Sequence, residues 1–83
     1  MEYKWTIVIR ANFPKFGHTD WAGGIFEGTY EIVASRRYFA IRDALNQFIL
    51  DNHLPFRVYQ ILDKYRDFTE ISAKCSEDGR VKA

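Results

Sequence analysis

Residues 3–12 alternate between two kinds of side chain, and this period of two is the feature that most limits how the chain can fold. The odd positions are occupied by Tyr3, Trp5, Ile7 and Ile9, and the even positions by Lys4, Thr6, Val8 and Arg10. Successive side chains of a β-strand point to opposite faces of the sheet. The pattern therefore predicts a strand that buries one face and exposes the other.

A second strand is predicted at 25–34. One face of it carries Phe26, Tyr30 and Ile32, and the other carries Glu27, Thr29 and Glu31. Gly28 falls inside this strand and predicts a bulge. Antiparallel pairing of the two strands brings two cations near two acids: Lys4 and Arg10 near Glu27 and Glu31. Such cross-strand pairs contribute about 0.2–1 kcal/mol each and support the register.

A helix is predicted from about 36 to 51, with Ser35 at the N-cap position. Its apolar residues recur at a spacing of three and four, which places one stripe on the helix: Tyr38, Ile41, Ala44, Leu45, Phe48 and Ile49. The helix is expected to end before Pro55, because the residue before a proline is pushed out of helical geometry. Asn52 is predicted to supply the left-handed exit.

Two large apolar residues of the same helix lie outside this stripe. At about 100° per residue, Phe39 and Leu50 stand roughly 160–180° away from Ile41. A core that holds Ile41 cannot easily hold these two residues as well. They are therefore predicted to lie on the outer face of the helix.

Residues 56–68 fit two different patterns. The spacing of Val58, Ile61, Leu62 and Tyr65 suits a helix, whereas the enrichment of β-branched and aromatic residues over 56–62 suits a strand. We predict the strand, followed by a polar loop. The rest of the chain is predicted as a pairing strand through Ile71, Ala73 and Cys75, then a turn at Asp78-Gly79 into a short basic tail.

The predicted fold class is α+β in the order β-β-α-β-β, a four-stranded, mostly antiparallel sheet with one helix packed on a face. The alternative is the order β-β-α-α-β, with residues 56–67 helical. The 83 residues suit a single small domain over 1–83 with one modest core. With 47% apolar and 17% aromatic residues, the chain has enough apolar surface to bury for a stable fold.

Charge and cysteine content limit the setting of the protein. The net charge of +1 gives no global field that would attract nucleic acid or an anionic membrane. Cys75 is the only cysteine, and the sequence shows neither a signal-peptide pattern nor an apolar run long enough to span a bilayer. We expect a cytoplasmic protein without a membrane partner.

A long connection separates the first two predicted strands. Residues 13–24 hold Phe16, His18 and Trp21, which ordinary turn chemistry does not require, and they end in a glycine pair. Long loops in compact domains are often functional. The aromatic residues either contact a partner or fold back to cover one end of the core.

The candidates for catalysis are few. His18 and Asp20 stand two residues apart, and His53 is the only other histidine, so no recognised metal-ligand spacing is present. The alternation with Ile71 and Ala73 predicts that Cys75 points inward as a small buried apolar residue. We expect no enzymatic activity, no cofactor and no metal.

Binding of another macromolecule is the function that the sequence favours. The residues predicted to contact a partner are Phe16, His18, Trp21, Arg36, Arg37, Phe39 and Leu50. Aromatic residues and arginine are enriched at interface hot spots, which favours a larger protein or a nucleoprotein complex as the partner. One alternative is a small RNA- or DNA-binding domain that uses Arg and Lys with the loop aromatics. Another is a homodimer that pairs along an exposed strand edge.

In size and general type, the chain resembles the small proteins with which phages and mobile elements inhibit host defence complexes such as CRISPR effectors. The resemblance rests on a compact, aromatic-rich domain of this length without a catalytic signature, and it transfers no functional residue. It implies inhibition by steric blocking of a protein surface. A regulatory subunit of a cellular complex is the alternative.

Overall fold

The computed structural model describes residues 2–15 and 23–80. The order of elements is β1 (Tyr3–Phe13), β2 (Gly24–Ala34), α1 (Arg37–Asn52), α2 (Val58–Leu62) and β3 (Thr69–Arg80), with a 3₁₀ turn at Arg66–Phe68 before the last strand. The strands form one antiparallel sheet in the order β2-β1-β3. The α+β class is as predicted, but the described part of the chain contributes three strands to the sheet, not four.

β1 and β2 pair in one unbroken register from Tyr3 opposite Ala34 to Phe13 opposite Gly24. The bulge predicted at Gly28 is wrong, because this glycine lies directly opposite Ile9 in the regular ladder. Its lack of a side chain has another cause. A Cβ at Gly28 would lie 2.6 Å from the Tyr30 hydroxyl oxygen, so the glycine makes room for the tyrosine ring.

The predicted charge pairs lie on the open face of this ladder. Arg10 Nε lies 2.8 Å from Glu27 Oε1 directly across the strands, and Lys4 Nζ lies 3.2 Å from Glu31 Oε2 on a diagonal. All four side chains are more than half exposed. They therefore favour the register but add little stability.

The helix α1 begins one residue later than predicted. Arg36, not Ser35, occupies the N-cap, with extended dihedral angles of φ −139° and ψ 152°. Its carbonyl oxygen accepts the first helical hydrogen bond from the Ala40 N–H at 3.1 Å. Ser35 is therefore one residue too early to cap the first turn.

The other end of α1 lies before Pro55, as predicted, but His53 makes the left-handed exit in place of Asn52. His53 has φ 51° and ψ 44°, which lets the Leu54 N–H reach back to the Ile49 carbonyl at 3.0 Å. Asn52 belongs to the helix, and its side-chain amide donates to the Phe48 carbonyl at 2.9 Å.

One face of α1 covers the sheet. The buried residues of the helix are Ala40, Ala44, Leu45 and Phe48, and they pack with Ile7, Ile9, Ile32 and Ala34 of the strands. Ile41 and Ile49 are only half-buried, and Tyr38, predicted for the buried stripe, is 60% exposed. The centre of the buried face is thus rotated from the predicted stripe towards Ala40, since alanines allow the helix to approach the sheet closely.

Residues 56–68 do not form the predicted strand. The alternative of a helix is correct in part, because Val58–Leu62 is α-helical and Arg66–Phe68 is a 3₁₀ turn. The Gln60 side-chain oxygen accepts the Arg57 N–H at 2.8 Å and closes the first turn. Ile61 is fully buried in the common core. Burial of Ile61, together with the contacts between α2 and α1, outweighs the β-propensity of this segment.

An aromatic cluster fills the end of the core beneath α2. The Phe13 ring lies 5.1 Å from Phe56, 6.5 Å from Tyr65 and 6.3 Å from Phe26, measured between ring centroids. Phe56 and Tyr65 are 4.7 Å apart. These contacts fix the segment that follows α1 onto the end of β1.

β3 follows the predicted alternation but extends beyond the predicted turn. Cys75 lies opposite Trp5, on the face that carries the core, yet its side chain is exposed, so its predicted burial is wrong. A strand of 11 residues is about 36 Å long, whereas the 16 residues of α1 extend only about 24 Å. The helix therefore leaves this corner of the sheet uncovered. Asp78-Gly79 falls within β3, where the pairing with β1 shifts between Cys75 and Arg80.

A hydrogen bond joins the sheet to the end of α1. The Tyr30 hydroxyl donates to Asp51 Oδ2 at 3.2 Å. Burial raises the pKa of the Tyr30 hydroxyl, and the hydrogen bond and negative charge of Asp51 raise it further. The protonated phenol is thus favoured in the folded state.

Tyr30 is expected to make stability depend on pH in the alkaline range. As the pH rises past about 10, the unfolded chain loses the phenol proton before the folded chain does, so the free energy of unfolding falls. Tyr30→Phe is expected to cost about 0.5–1.5 kcal/mol at pH 8, and this difference from wild type is expected to shrink above pH 10. Urea unfolding of both proteins from pH 8 to 11 measures this difference in the free energy of unfolding. Tyr59→Phe, at an exposed tyrosine, is the matched control; the same pH dependence in both variants would contradict the assignment to Tyr30.

Candidate functional site

A groove lies between α1 and α2. The left-handed residue His53 and the following Pro55 turn the chain so that α2 lies beside α1. The groove has a volume of about 790 Å³. Its apolar lining residues are Tyr38, Ile49, Leu50, Phe56, Val58, Tyr59 and Leu62. We call this surface the helical groove.

Large apolar side chains remain in water on both walls of the helical groove. Leu50 is 73% exposed, Tyr59 65% and Tyr38 60%. A single exposed apolar residue is ordinary, but a concave cluster of them is typical of a binding surface. The helical groove therefore exposes apolar surface whose burial by a partner would be favourable.

Charged residues stand among the apolar residues of the helical groove. Arg42 lies with its guanidinium 5.1 Å from the Phe39 ring centroid and 3.5 Å from Asp43 Oδ1. Arg57 and Asp63 also line the groove, and neither has an ion-pair partner among the described residues. The groove thus combines apolar walls with two guanidinium groups and one carboxylate.

The structure brings one of the predicted contact residues into the helical groove. Leu50 lines it, as its outer position on α1 requires. Phe39 is 37% exposed and lies beside the groove, where its ring meets Tyr38 edge-on at 5.7 Å. Arg36 and Arg37 are exposed at the start of α1 and do not line the groove.

The other three predicted contact residues, Phe16, His18 and Trp21, lie outside the described residues. The glycine pair that ends their loop is described, and Gly23 has φ 75°. A Cβ on Gly23 would lie 2.8 Å from the Pro14 carbonyl oxygen, so the backbone passes too close for any other residue.

Sequence reasoning missed most of the second wall of the helical groove. The sequence predicts a strand through Val58, Tyr59 and Leu62. The side chains of a strand alternate between two faces, so this prediction does not bring the three residues together on one wall. Tyr38 was placed on the buried stripe of α1, although it is exposed. The spacing of Val58, Ile61 and Leu62, which also suited a helix, was the signal that could have located this wall.

The open face of the sheet has a different character. Across β1 and β2 it carries Lys4, Thr6, Val8, Arg10, Asn12, Ile25, Glu27, Thr29, Glu31 and Val33, none of them aromatic. In each of its two ion pairs, the cation and the carboxylate neutralise each other. This part of the chain therefore lacks the stacking platform with which a sheet holds single-stranded nucleic acid.

A smaller depression of about 430 Å³ lies where the start of β2 meets the 3₁₀ turn. Arg10, Asp67 and Glu70 line it, together with the exposed Ile25. Arg10 already forms an ion pair with Glu27. The depression is thus less apolar than the helical groove, and its cation is already engaged.

The described residues that were weighed for catalysis do not converge. His53 is an exposed residue that ends α1, and Cys75 lies at a corner of the sheet. In the described ranges, no three of the residues His, Cys, Asp and Glu are grouped so that they could hold a metal ion. Neither α1 nor α2 has the length and hydropathy needed to cross a bilayer.

The fold and the groove define the class as a small α+β domain with a three-stranded antiparallel sheet and an apolar groove on its helical side. No protein-family model, curated protein or solved structure matches the chain.

Proposed function

We propose that this protein is a non-catalytic protein-binding domain that holds its partner in the helical groove. The observation that carries the proposal is the exposure of Leu50, Tyr59 and Tyr38 around one concavity. Complete burial of a leucine side chain is worth about 1.5–3 kcal/mol. Covering the groove would supply a substantial part of the binding free energy of a complex.

The chemistry of the helical groove supports a protein partner. Tyrosine and arginine are enriched at the centres of protein interfaces, and the groove presents two tyrosines and two arginines around apolar walls. Given the resemblance in size and type to inhibitors of defence complexes, the proposed mode of action is steric blocking of a surface on a larger protein or nucleoprotein complex. Regulation of a cellular complex by the same contact is the alternative.

A nucleic-acid-binding domain is the second candidate, and one observation favours it. Within the described residues, Arg36, Arg37, Arg57 and Arg66 make no ion pair with a carboxylate, whereas Arg10 on the open sheet face does. Guanidinium groups without a carboxylate partner can hold phosphates. Binding to nucleic acid would weaken steeply with salt, whereas an apolar contact in the groove would not.

Leu50→Asp is expected to abolish capture of a defined partner by the tagged protein from a nuclease-treated lysate of its source. A carboxylate among the apolar residues that line the groove would have to be desolvated, which lowers affinity by more than about tenfold. Because Leu50 is 73% exposed, the melting temperature is expected to stay within a few degrees of wild type.

Gln47→Asp is the matched control for this experiment. It places the same carboxylate on the same helix at an exposed residue that does not line the groove. Capture is expected to survive it. Equal capture by Leu50→Asp and wild type would contradict the proposed function, and loss of every partner after nuclease treatment would favour nucleic-acid binding.

A further inference from the structure

We propose that the occupant of the helical groove is an amphipathic helix of a partner protein, with an acidic residue placed against Arg57. This inference rests on the proposed function and adds the chemistry of the partner. It follows from three properties of the groove: its walls, its length and its charge.

The walls of the helical groove are helices, and this limits the backbone of the occupant. Backbone N–H and C=O groups in the interior of α1 are hydrogen-bonded inside the helix, and in α2 the N–H groups of Gln60 and Ile61 donate to the Arg57 carbonyl. They offer no ladder edge to which an extended segment could add as a strand. A buried segment must then satisfy its own backbone groups internally, and a helix does so.

The length of the helical groove suits a short helix. Tyr38 and Leu50 line it twelve residues apart on α1, which corresponds to about 18 Å. A helix that follows this distance makes about three turns and presents apolar residues every third or fourth position. The groove volume of about 790 Å³ is large enough to take several such side chains.

The charge of the helical groove favours an acidic partner. Arg57 has no carboxylate partner among the described residues. Arg42 has one, but this ion pair is long and partly exposed, with 3.5 Å between Arg42 Nη2 and Asp43 Oδ1. Asp63 is the one acid in the lining. A partner carboxylate can accept two hydrogen bonds from a guanidinium, which favours an acidic side chain at that position.

The same charges disfavour a second copy of this chain as the occupant. In a two-fold dimer, the same surface of both subunits meets itself. Two grooves face to face would bring the guanidinium groups of Arg42 and Arg57 near those of the partner copy, with only Asp63 in each lining to offset them. A separate acidic segment would face two guanidinium groups and only one carboxylate in the lining.

Two synthetic helical peptides of about 14 residues test the inference. Both carry leucine at every third or fourth position, and their flanking positions are glutamate in one and lysine in the other. Fluorescence anisotropy with the 83-residue chain is expected to show that the glutamate peptide binds about tenfold more tightly at low salt. The difference is expected to shrink as salt is added.

Three variants locate the contact. Arg57→Glu is expected to reverse the preference between the two peptides, and Leu50→Asp is expected to weaken both by about tenfold or more. Gln47→Asp is expected to change neither, since this residue does not line the groove. Circular dichroism of each variant confirms that the fold is retained.

Other outcomes would overturn the inference. Equal affinity for both peptides, or a preference that Arg57→Glu leaves unchanged, would remove the acidic helix as the occupant. Failure of both peptides to bind would do the same, while Leu50-dependent capture of a partner would leave the proposed function intact. A dimer in sedimentation that Leu50→Asp dissociates would show that a second copy fills the groove.

Discussion

Phe13→Ala is expected to lower the free energy of unfolding by about 3–5 kcal/mol. Phe13 is 2% exposed and lies at the centre of the cluster formed with Phe26, Phe56 and Tyr65. Truncation would remove ring contacts on several sides and leave a cavity that a three-stranded sheet can close only in part. A domain of this size has a total stability of roughly 4–12 kcal/mol, so a large part of it would be lost.

Phe39→Ala is the matched control, since it makes the same substitution at a residue that is 37% exposed. Its cost is expected to be about 1 kcal/mol, the value of its contacts with Tyr38 and Arg42. Urea unfolding followed by far-ultraviolet circular dichroism measures both variants. Equal costs for the two substitutions would show that Phe13 is not central to the core.

Leu45→Ala and Leu50→Ala are expected to differ by about 2–5 kcal/mol although they make the same change on the same helix. Leu45 is fully buried against the sheet, whereas Leu50 is 73% exposed in the helical groove. Leu45→Ala would leave a cavity between α1 and the strands. Leu50→Ala is expected to change stability by no more than about 0.5 kcal/mol.

This pair of variants tests the orientation of α1 on the sheet, on which the helical groove depends. Thermal unfolding of both proteins in one buffer is sufficient. If Leu50→Ala were the more destabilising change, the helix would present its other face to the sheet. The groove proposed as the binding surface would then not exist.

The first two strands were predictable because their information is local. Alternation in 3–12 and 25–34 indicates which face of each strand is buried. The opposite charges on the other face indicate the register, in which Arg10 lies directly across from Glu27. The body of α1 was predictable for the same reason, since its apolar spacing has one helical period. Its exact ends were not, because Arg36 occupies the N-cap without a side-chain cap hydrogen bond and His53 makes the left-handed exit, against the residue preferences for both positions.

The segment 56–68 was not predictable from local preference. Its aromatic and β-branched residues favour a strand, but the structure forms α2 there because Ile61 reaches the common core from a helical turn. A five-residue helix has little intrinsic stability in isolation. Contacts with α1 and with the aromatic cluster decide it, and those contacts join residues that are distant in sequence.

The candidate site divides in the same way. The outer position of Leu50 could be derived from helical periodicity alone. Tyr38 and Tyr59 join Leu50 only because the chain reverses at His53 and lays α2 beside α1. The periodicity of one helix or strand does not specify contacts with another, so the groove between α1 and α2 could not be predicted from either element alone.

The sequence by itself determined the α+β class, the antiparallel pairing of β1 with β2 and the outward direction of Leu50. These depend on side-chain periods of 2.0 and 3.6, which are properties of neighbouring residues. Tertiary structure alone decided that the sheet has three strands with β1 at its centre, that residues 58–62 are helical, and that Cys75 is left uncovered. The physical reason is that burial is shared between elements: which face α1 covers, and how far it extends along the sheet, are fixed only when all of them pack together.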